Sequence, residues 1–353
     1  MNRRRQSGFS VVELMVAAAI SLLLLLGVIT IFIGSRSSYE TTQRLSRIHE
    51  NGRVALEQIV FDLRAAGFQG CARPNPASLR AEEFAITTLW NPTALLWNYV
   101  ISAEGFDAGA SGWTPNLAAA ITLDPAPQPG SDVLVVRAPR RDEPGLELAK
   151  SQANAADPLL VAWNDSATVA NGDTLMVSDC DGRAFFRVTG LATTADGTQI
   201  AHDAGSTGPT TNASDTLLHP FKQGAEVVPM QTTIYYLAPG EVDPERAALW
   251  RKVGVSDAEE VADGVERMEV LYGIDSSGAD ARVDEYRNAS AVTNWSQVVS
   301  VAVALLVRSP EPYGNDVDAR QYDLLGTTVG PLNDRHQRQV FAATVALRNH
   351  VFD

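Results

Sequence analysis

Apolar and polar positions divide this chain into three stretches of different period. From Phe9 to Gly34 the residues are apolar with a single charge, Glu13. A run of 26 residues at 1.5 Å each spans about 39 Å, enough to cross a bilayer with some tilt, and lipid allows it no backbone state but helix. From 35 to 66 no proline interrupts. Leu45, Ile48, Leu56, Ile59, Val60 and Leu63 recur at helical spacing among Arg44, Arg47, Glu50, Arg53, Glu57 and Arg64, which predicts an amphipathic continuation of the same helix packed on a sheet. Gly67 and Gly70 end it and Pro74 prevents a restart.

Beyond residue 71 the period shortens to that of strands. Asp132–Arg137, Thr232–Leu237, Leu249–Val253, Met268–Tyr272 and Gln339–Leu347 read as strands. Thr174–Val177 and Ala184–Val188 read as a hairpin about Asp181-Gly182. Val298–Val307 is almost wholly apolar, which predicts a strand buried on both faces. Residues 101–130, rich in Gly, Ala and Pro, and 190–225, rich in Thr, Gly, Asp and Ser, read as loops. The fold class expected is α+β, one long N-terminal helix packed on a largely antiparallel sheet head. The division is a leader over 1–8, a membrane-spanning helix over 9–34, an amphipathic half over 35–70 and a β-rich head over 71–353.

Charge sets the orientation. Arg3, Arg4 and Arg5 precede the apolar run with no balancing acid, so the N-terminus stays in the cytoplasm and the head is exported. An ordinary secretory signal needs a shorter apolar core and a small-residue cleavage site after it; Ile31–Arg36 supplies a poor one. A plain anchor explains the run but not Glu13, since a carboxylate costs about 2.5–3.5 kcal/mol at a bilayer centre and usually has a partner.

Gly8-Phe9-Ser10-Val11-Val12-Glu13-Leu14-Met15-Val16 resembles the class III signal of type IV pilins and type II secretion pseudopilins. The resemblance implies cleavage after Gly8 by a membrane aspartyl peptidase, N-methylation of Phe9, and an assembly role for Glu13. The freed amine of Phe9 in one subunit would then meet Glu13 of its neighbour, cancelling both charges in an apolar filament core. Unlike many major pilins, this chain has no proline in the apolar half.

The 353 residues carry a net charge of −14, and loss of the leader makes the remainder more acidic. An acidic head argues against nucleic acid as a partner. The two cysteines, Cys71 and Cys180, both fall on the exported side, where an even pair most simply forms a disulfide. It would close a loop of about 110 residues, worth on the order of 4–5 kcal/mol. A metal site is the weaker reading, without a CxxC spacing.

Four further segments resemble the PilW family of minor type IV pilins: Asp62–Cys71, Gly130–Leu134, Asp179-Cys180 and Gln339–Asn349. That resemblance implies a low-abundance subunit that primes pilus assembly, with prepilin peptidase, other minor pilins, the major pilin and a tip adhesin as partners. The inner membrane and then the pilus are its implied locations. A J-type secretion pseudopilin is the alternative.

No enzyme constellation accompanies this pattern. The five histidines are dispersed, and Gly109-Ala110-Ser111-Gly112 is not a nucleophile elbow. No phosphate loop is present. Asp179 begins no EF-hand, because the twelfth position is Gly190. The expectation is a protein without catalysis, metal or cofactor; a membrane-tethered enzyme or sensor would need a catalytic cluster in the head.

Overall fold

The computed structural model describes residues 10–68, 70, 85–89, 94–109, 112–141, 143, 145–162, 169–205, 211–277, 282–312 and 317–347. One unbroken helix runs Val11–Ala65, followed by a head of strands. At 55 residues it is about 82 Å long. Gly67 adopts φ 66°, a backbone state that glycine enters without cost just past a helix end, and its N–H donates to the Arg137 carbonyl at 3.1 Å.

The helix lies on the sheets through one stripe only. Ile48, Ala55, Ile59, Leu63 and Ala66 are buried, with Leu56 and Val60 packed beside them. Leu45, expected on this stripe, is instead 41% exposed, and the first helix residue to enter the core is Ile48. Gly52 falls on the stripe between Ile48 and Ala55, where Phe341 reaches the helix.

Two sheets receive the helix. In one, Val298–Arg308 is central, between Val265–Ile274 and Arg338–Ala346, with Glu285–Arg287 at the far edge. Both faces of Val298–Arg308 are covered. Val301, Val303 and Leu305 join the core under the helix, whereas Ala304 and Leu306 lie under the small Tyr322–Leu324 and Thr327–Val329 hairpin. In the larger sheet the 14-residue strand Glu226–Pro239 pairs along one side with Thr174–Asp179 and then Ala247–Val253, and on its other side with Val133–Pro139. Its alternate residues feed different cores: Tyr235 and Leu237 face the helix, while Ile234, Tyr236 and Ala238 meet Phe106, Val133, Val135 and Trp250. A strand buried on both faces loses the polar alternation of a half-exposed one.

The two sheets are stitched where Val133–Pro139 begins. The Ser131 hydroxyl accepts from the Met268 N–H at 2.9 Å, and the Asp132 N–H donates to the Met268 carbonyl at 3.0 Å. The Asp132 carboxylate accepts from the N–H groups of Ala108 and Val270, both at 2.8 Å.

The head is largely antiparallel, as expected. Among the described residues the one parallel strand pair joins Ala85–Thr88 to Gly182–Arg187. Two regions read as loops are in part strands. Residues 101–130 contain Ala103–Gly109, paired with Val133–Pro139, and Gly112–Thr114, followed by the short helix Leu117–Ala120. Residues 190–225 contain the hairpin Gly190–Thr194 and Gly197–Ala201, which joins Leu159–Val161 in a three-stranded sheet. In both cases small or hydroxylated side chains mask the alternation, and pairing with a neighbour decides the strand.

Candidate functional site: the N-terminal helix and its seat on the head

The helix starts in a capping box that the sequence spells as Ser10-Val11-Val12-Glu13. Ser10 is extended (φ −73°, ψ 144°) and its hydroxyl accepts from the Val12 N–H at 3.3 Å. The Glu13 carboxylate turns back to accept from the Ser10 N–H at 3.0 Å. This S-x-x-E pattern is a readable helix start, and reading Glu13 only as an intersubunit partner misses it. Glu13 is therefore held at the very tip of the helix, against the N–H of Ser10. Gly8 and Phe9 themselves lie outside the described residues.

After the cap the helix leaves the head. Its apolar half has a mean hydropathy of 2.9 over 18 residues and none of that window is buried. Leu23, Phe32 and Val11 are 70%, 66% and 75% exposed. The Thr30 hydroxyl donates back to the Leu26 carbonyl at 2.5 Å, so this polar side chain is satisfied within its own helix. The free half is suited to lipid or to other apolar helices.

The other half is clamped. Asp62, buried in the interface, accepts from Arg141 Nε at 2.7 Å and from the Tyr235 hydroxyl at 2.5 Å. Arg141 also donates to the Gln58 carbonyl at 2.9 Å and lies 4.6 Å above the Phe61 ring. Burial, followed by the Asp62 charge, pushes the Tyr235 phenol well above its usual range. Asn51 Nδ2 donates to the Asp263 carbonyl at 2.9 Å. Charged and apolar contacts together fix the helix axis against the head, so the free half is aimed as a rigid rod.

The cysteines divide between described and undescribed regions. Cys180 sits in the two-residue turn between Thr174–Asp179 and Gly182–Arg187 and is disulfide-bonded. The chain's other cysteine, Cys71, lies outside the described residues. Asp179 shapes that turn by accepting from the N–H groups of Asp181 and Gly182 at 3.0 and 3.1 Å, and its second oxygen meets His219 Nε2 at 2.9 Å. A turn is what the sequence reading favoured there over a calcium loop. Among the described residues no three His, Cys, Asp or Glu side chains converge on a metal position.

The segments singled out in the sequence thus meet at the junctions of the fold. Asp62 anchors the helix, Ser131 and Asp132 join the sheets, Asp179 shapes the Cys180 turn, and Phe341 packs on Gly52.

Comparison with known proteins agrees with this geometry. The PilW family, described as type IV pilus-assembly protein W, matches residues 234–349, and the prokaryotic N-terminal methylation motif matches residues 3–29. Of the four PilW-like segments read from the sequence, Gln339–Asn349 falls in the matched region. No curated protein matches the chain. Among solved structures, a type IV-like pilin from Thermus thermophilus aligns with 16% identity over 51% of this chain and 84% of its own, at a TM-score of 0.23. The methylation motif with its apolar helix fits an inner-membrane anchor. The methylation motif leads into the bare apolar helix and the PilW-like region supplies strands that seat the second half of that helix, so over these two regions the chain is similar to N-methylated prepilins and to the PilW family.

Proposed function

We propose that this protein is a minor pilin that primes pilus assembly together with other minor pilins, in a complex that reaches the pilus tip. Prepilin peptidase cuts after Gly8 and the new terminus, Phe9, is methylated. The 9–34 segment holds the subunit in the inner membrane with its head in the periplasm until it is extracted into the filament. The observation that carries this reading is the contrast along one helix: the half from Ile48 is locked to the head, while the half beginning at Val11 is exposed and apolar. Such a rod stores a subunit in lipid and packs it among like rods in a filament.

Glu13 orders docking. Its carboxylate already accepts from Ser10 N–H, so it sits beside the chain end created by cleavage, where a neighbour's amine can pair with it. In the head, Cys71 and Cys180 form the disulfide. Cys180 is bonded, the chain has two cysteines, and the neighbouring Gly70 lies against Ser178, with Ser178 Oγ 1.9 Å from where a Cβ on residue 70 would stand.

The test is surface pilus abundance in an in-frame deletion strain and its complement, with type II secreted proteins measured in parallel. Lost pili with normal secretion are expected. Normal pili with blocked secretion would assign the chain to the J-type pseudopilins instead.

A further inference from the structure

Three strands of the large sheet place Glu147, Glu226 and Ser178 in one row. Glu226 pairs in register with Glu147 on one side and with Ser178 on the other, and residues directly opposite across strands share a face of the sheet. The row lines an open groove of about 440 Å³ beside the Cys180 turn. Gly70 passes over it without a side chain. A Cβ there would stand 1.9 Å from Ser178 Oγ and 2.9 Å from Glu226 Oε2, so these two oxygens are close neighbours.

None of the three has a partner among the described residues. The Ser178 hydroxyl is fully buried and makes no hydrogen bond. Neither Glu147 nor Glu226 has an ion pair or side-chain hydrogen bond, whereas every acid of the Asp62, Asp179 and Asp318 clusters has one. Burial and the facing Glu147 charge push the Glu226 carboxyl above its usual range. Like charges placed opposite each other are destabilising, and a buried hydroxyl without a partner costs about 1–3 kcal/mol. Lys222, at the groove rim, has its ammonium 3.9 Å from Asp181 and is 80% exposed.

We propose that this row is a binding site for a hard divalent cation, with calcium the ion it suits. Two carboxylates offer up to four oxygens and Ser178 a fifth, and calcium accepts six to eight oxygens in flexible geometry with water filling the remainder. Magnesium requires a tighter octahedron than a row across three strands presents. Two carboxylates rather than a full acidic cage place the affinity in the weak range of extracellular modules, about 10⁻⁴–10⁻³ M. The site is distinct from the Asp179 turn, whose carboxylate is committed to its own backbone and to His219. Bound calcium would cancel the repulsion between Glu147 and Glu226 and tie together three strands next to the Cys180 turn.

The experiment is calcium titration of the purified full chain in detergent micelles after chelator treatment, by calorimetry and by thermal melting. The expected result is saturable binding of one calcium per chain and a rise in melting temperature. Glu226→Gln and Glu147→Gln should weaken binding by about tenfold or more while melting, without calcium, at or above the wild-type temperature, because each removes one of two repelling charges. Glu147 is exposed at a strand end, so its variant tests the site even if Glu226→Gln were to misfold. No saturation at millimolar calcium would overturn the proposal, as would calcium binding that both variants leave unchanged, which would place the ion elsewhere on the acidic head. A magnesium response equal to that of calcium would overturn the assignment to calcium.

Discussion

Gly52 of the helix and Phe341 of the last strand occupy a single space. A Cβ on residue 52 would stand 2.3 Å from the ring edge, and the same ring meets His49 edge-on at 5.8 Å. The glycine is thus a socket for the aromatic side chain, and it sets how closely helix and sheet approach. Gly52→Val should push the ring out and destabilise the head by about 1–3 kcal/mol, despite the better helix propensity of valine over glycine. A denaturant melt of the full chain in micelles checks this, and a variant at least as stable as wild type would contradict the socket.

The Asp62 clamp predicts a larger loss. Asp62→Ala leaves Arg141 without its carboxylate and Tyr235 without its acceptor, so a cost of about 3 kcal/mol or more is expected. Tyr235→Phe removes the hydroxyl's bond to the Asp62 carboxylate and its longer one from Arg141, and should cost about 1.5–3 kcal/mol. If the clamp acts as a unit, adding Tyr235→Phe to Asp62→Ala should cost much less than it does alone, which a double-mutant cycle measures.

Two carboxyls, Asp334 near the surface and Asp132 in the interior, should give stability opposite dependences on pH. Asp334 is held down to about 2, chiefly by its bonds to Arg338. Its contribution is present above about pH 4 and is lost as pH falls towards 2. Asp132 is pushed up to about 7, first by burial and further by Glu269, against the pull of the Ala108 and Val270 N–H groups. Between about pH 4 and 7 the folded state holds a proton that the unfolded chain has released. Its contribution is therefore full below about pH 4 and declines as pH rises to 7. Melts of wild type and Asp132→Asn at pH 5 and pH 8 test this. The variant should be less stable at both, having set an amide against an N–H, and should show a smaller drop between them.

Capping and assembly share Glu13 and can be separated. Ser10→Ala removes the hydroxyl cap, worth about 1 kcal/mol at the helix end, and leaves the carboxylate. Glu13→Ala removes both the cap partner and the charge. Both variants should insert in the membrane normally, since each makes the segment more apolar. Glu13→Ala alone should lower incorporation into sheared pili, as read by immunoblot against the complemented wild type. Equal defects in the two variants would assign the role of Glu13 to helix initiation.

Removing the proposed Cys71–Cys180 bridge by Cys180→Ser should destabilise the head by about 2–5 kcal/mol. A thermal melt with and without reductant checks it. Reductant should lower the wild-type transition to that of the variant and leave the variant unmoved.

The amino-acid sequence determined whatever depends on neighbours along the chain. The helix was legible because a membrane-length apolar run leads without proline into a stretch of helical period, and Gly67 closes it. The strand Val298–Arg308 was legible because burial on both faces leaves a continuous apolar run. Even the Ser10–Glu13 cap was written locally, as two residues three apart. The tertiary structure decided what depends on residues far apart. Ala103–Gly109 and Gly197–Ala201 are strands because Val133–Pro139 and Leu159–Val161 lie beside them, and their own small or polar side chains carry little periodic signal. Asp62 finds Arg141 79 positions away, and Glu147, Glu226 and Ser178 come into one row only through pairing across three strands. Local periodicity reports which face of an element is apolar. Which element covers that face, and which charges then lose their water together, is fixed only when the chain closes on itself.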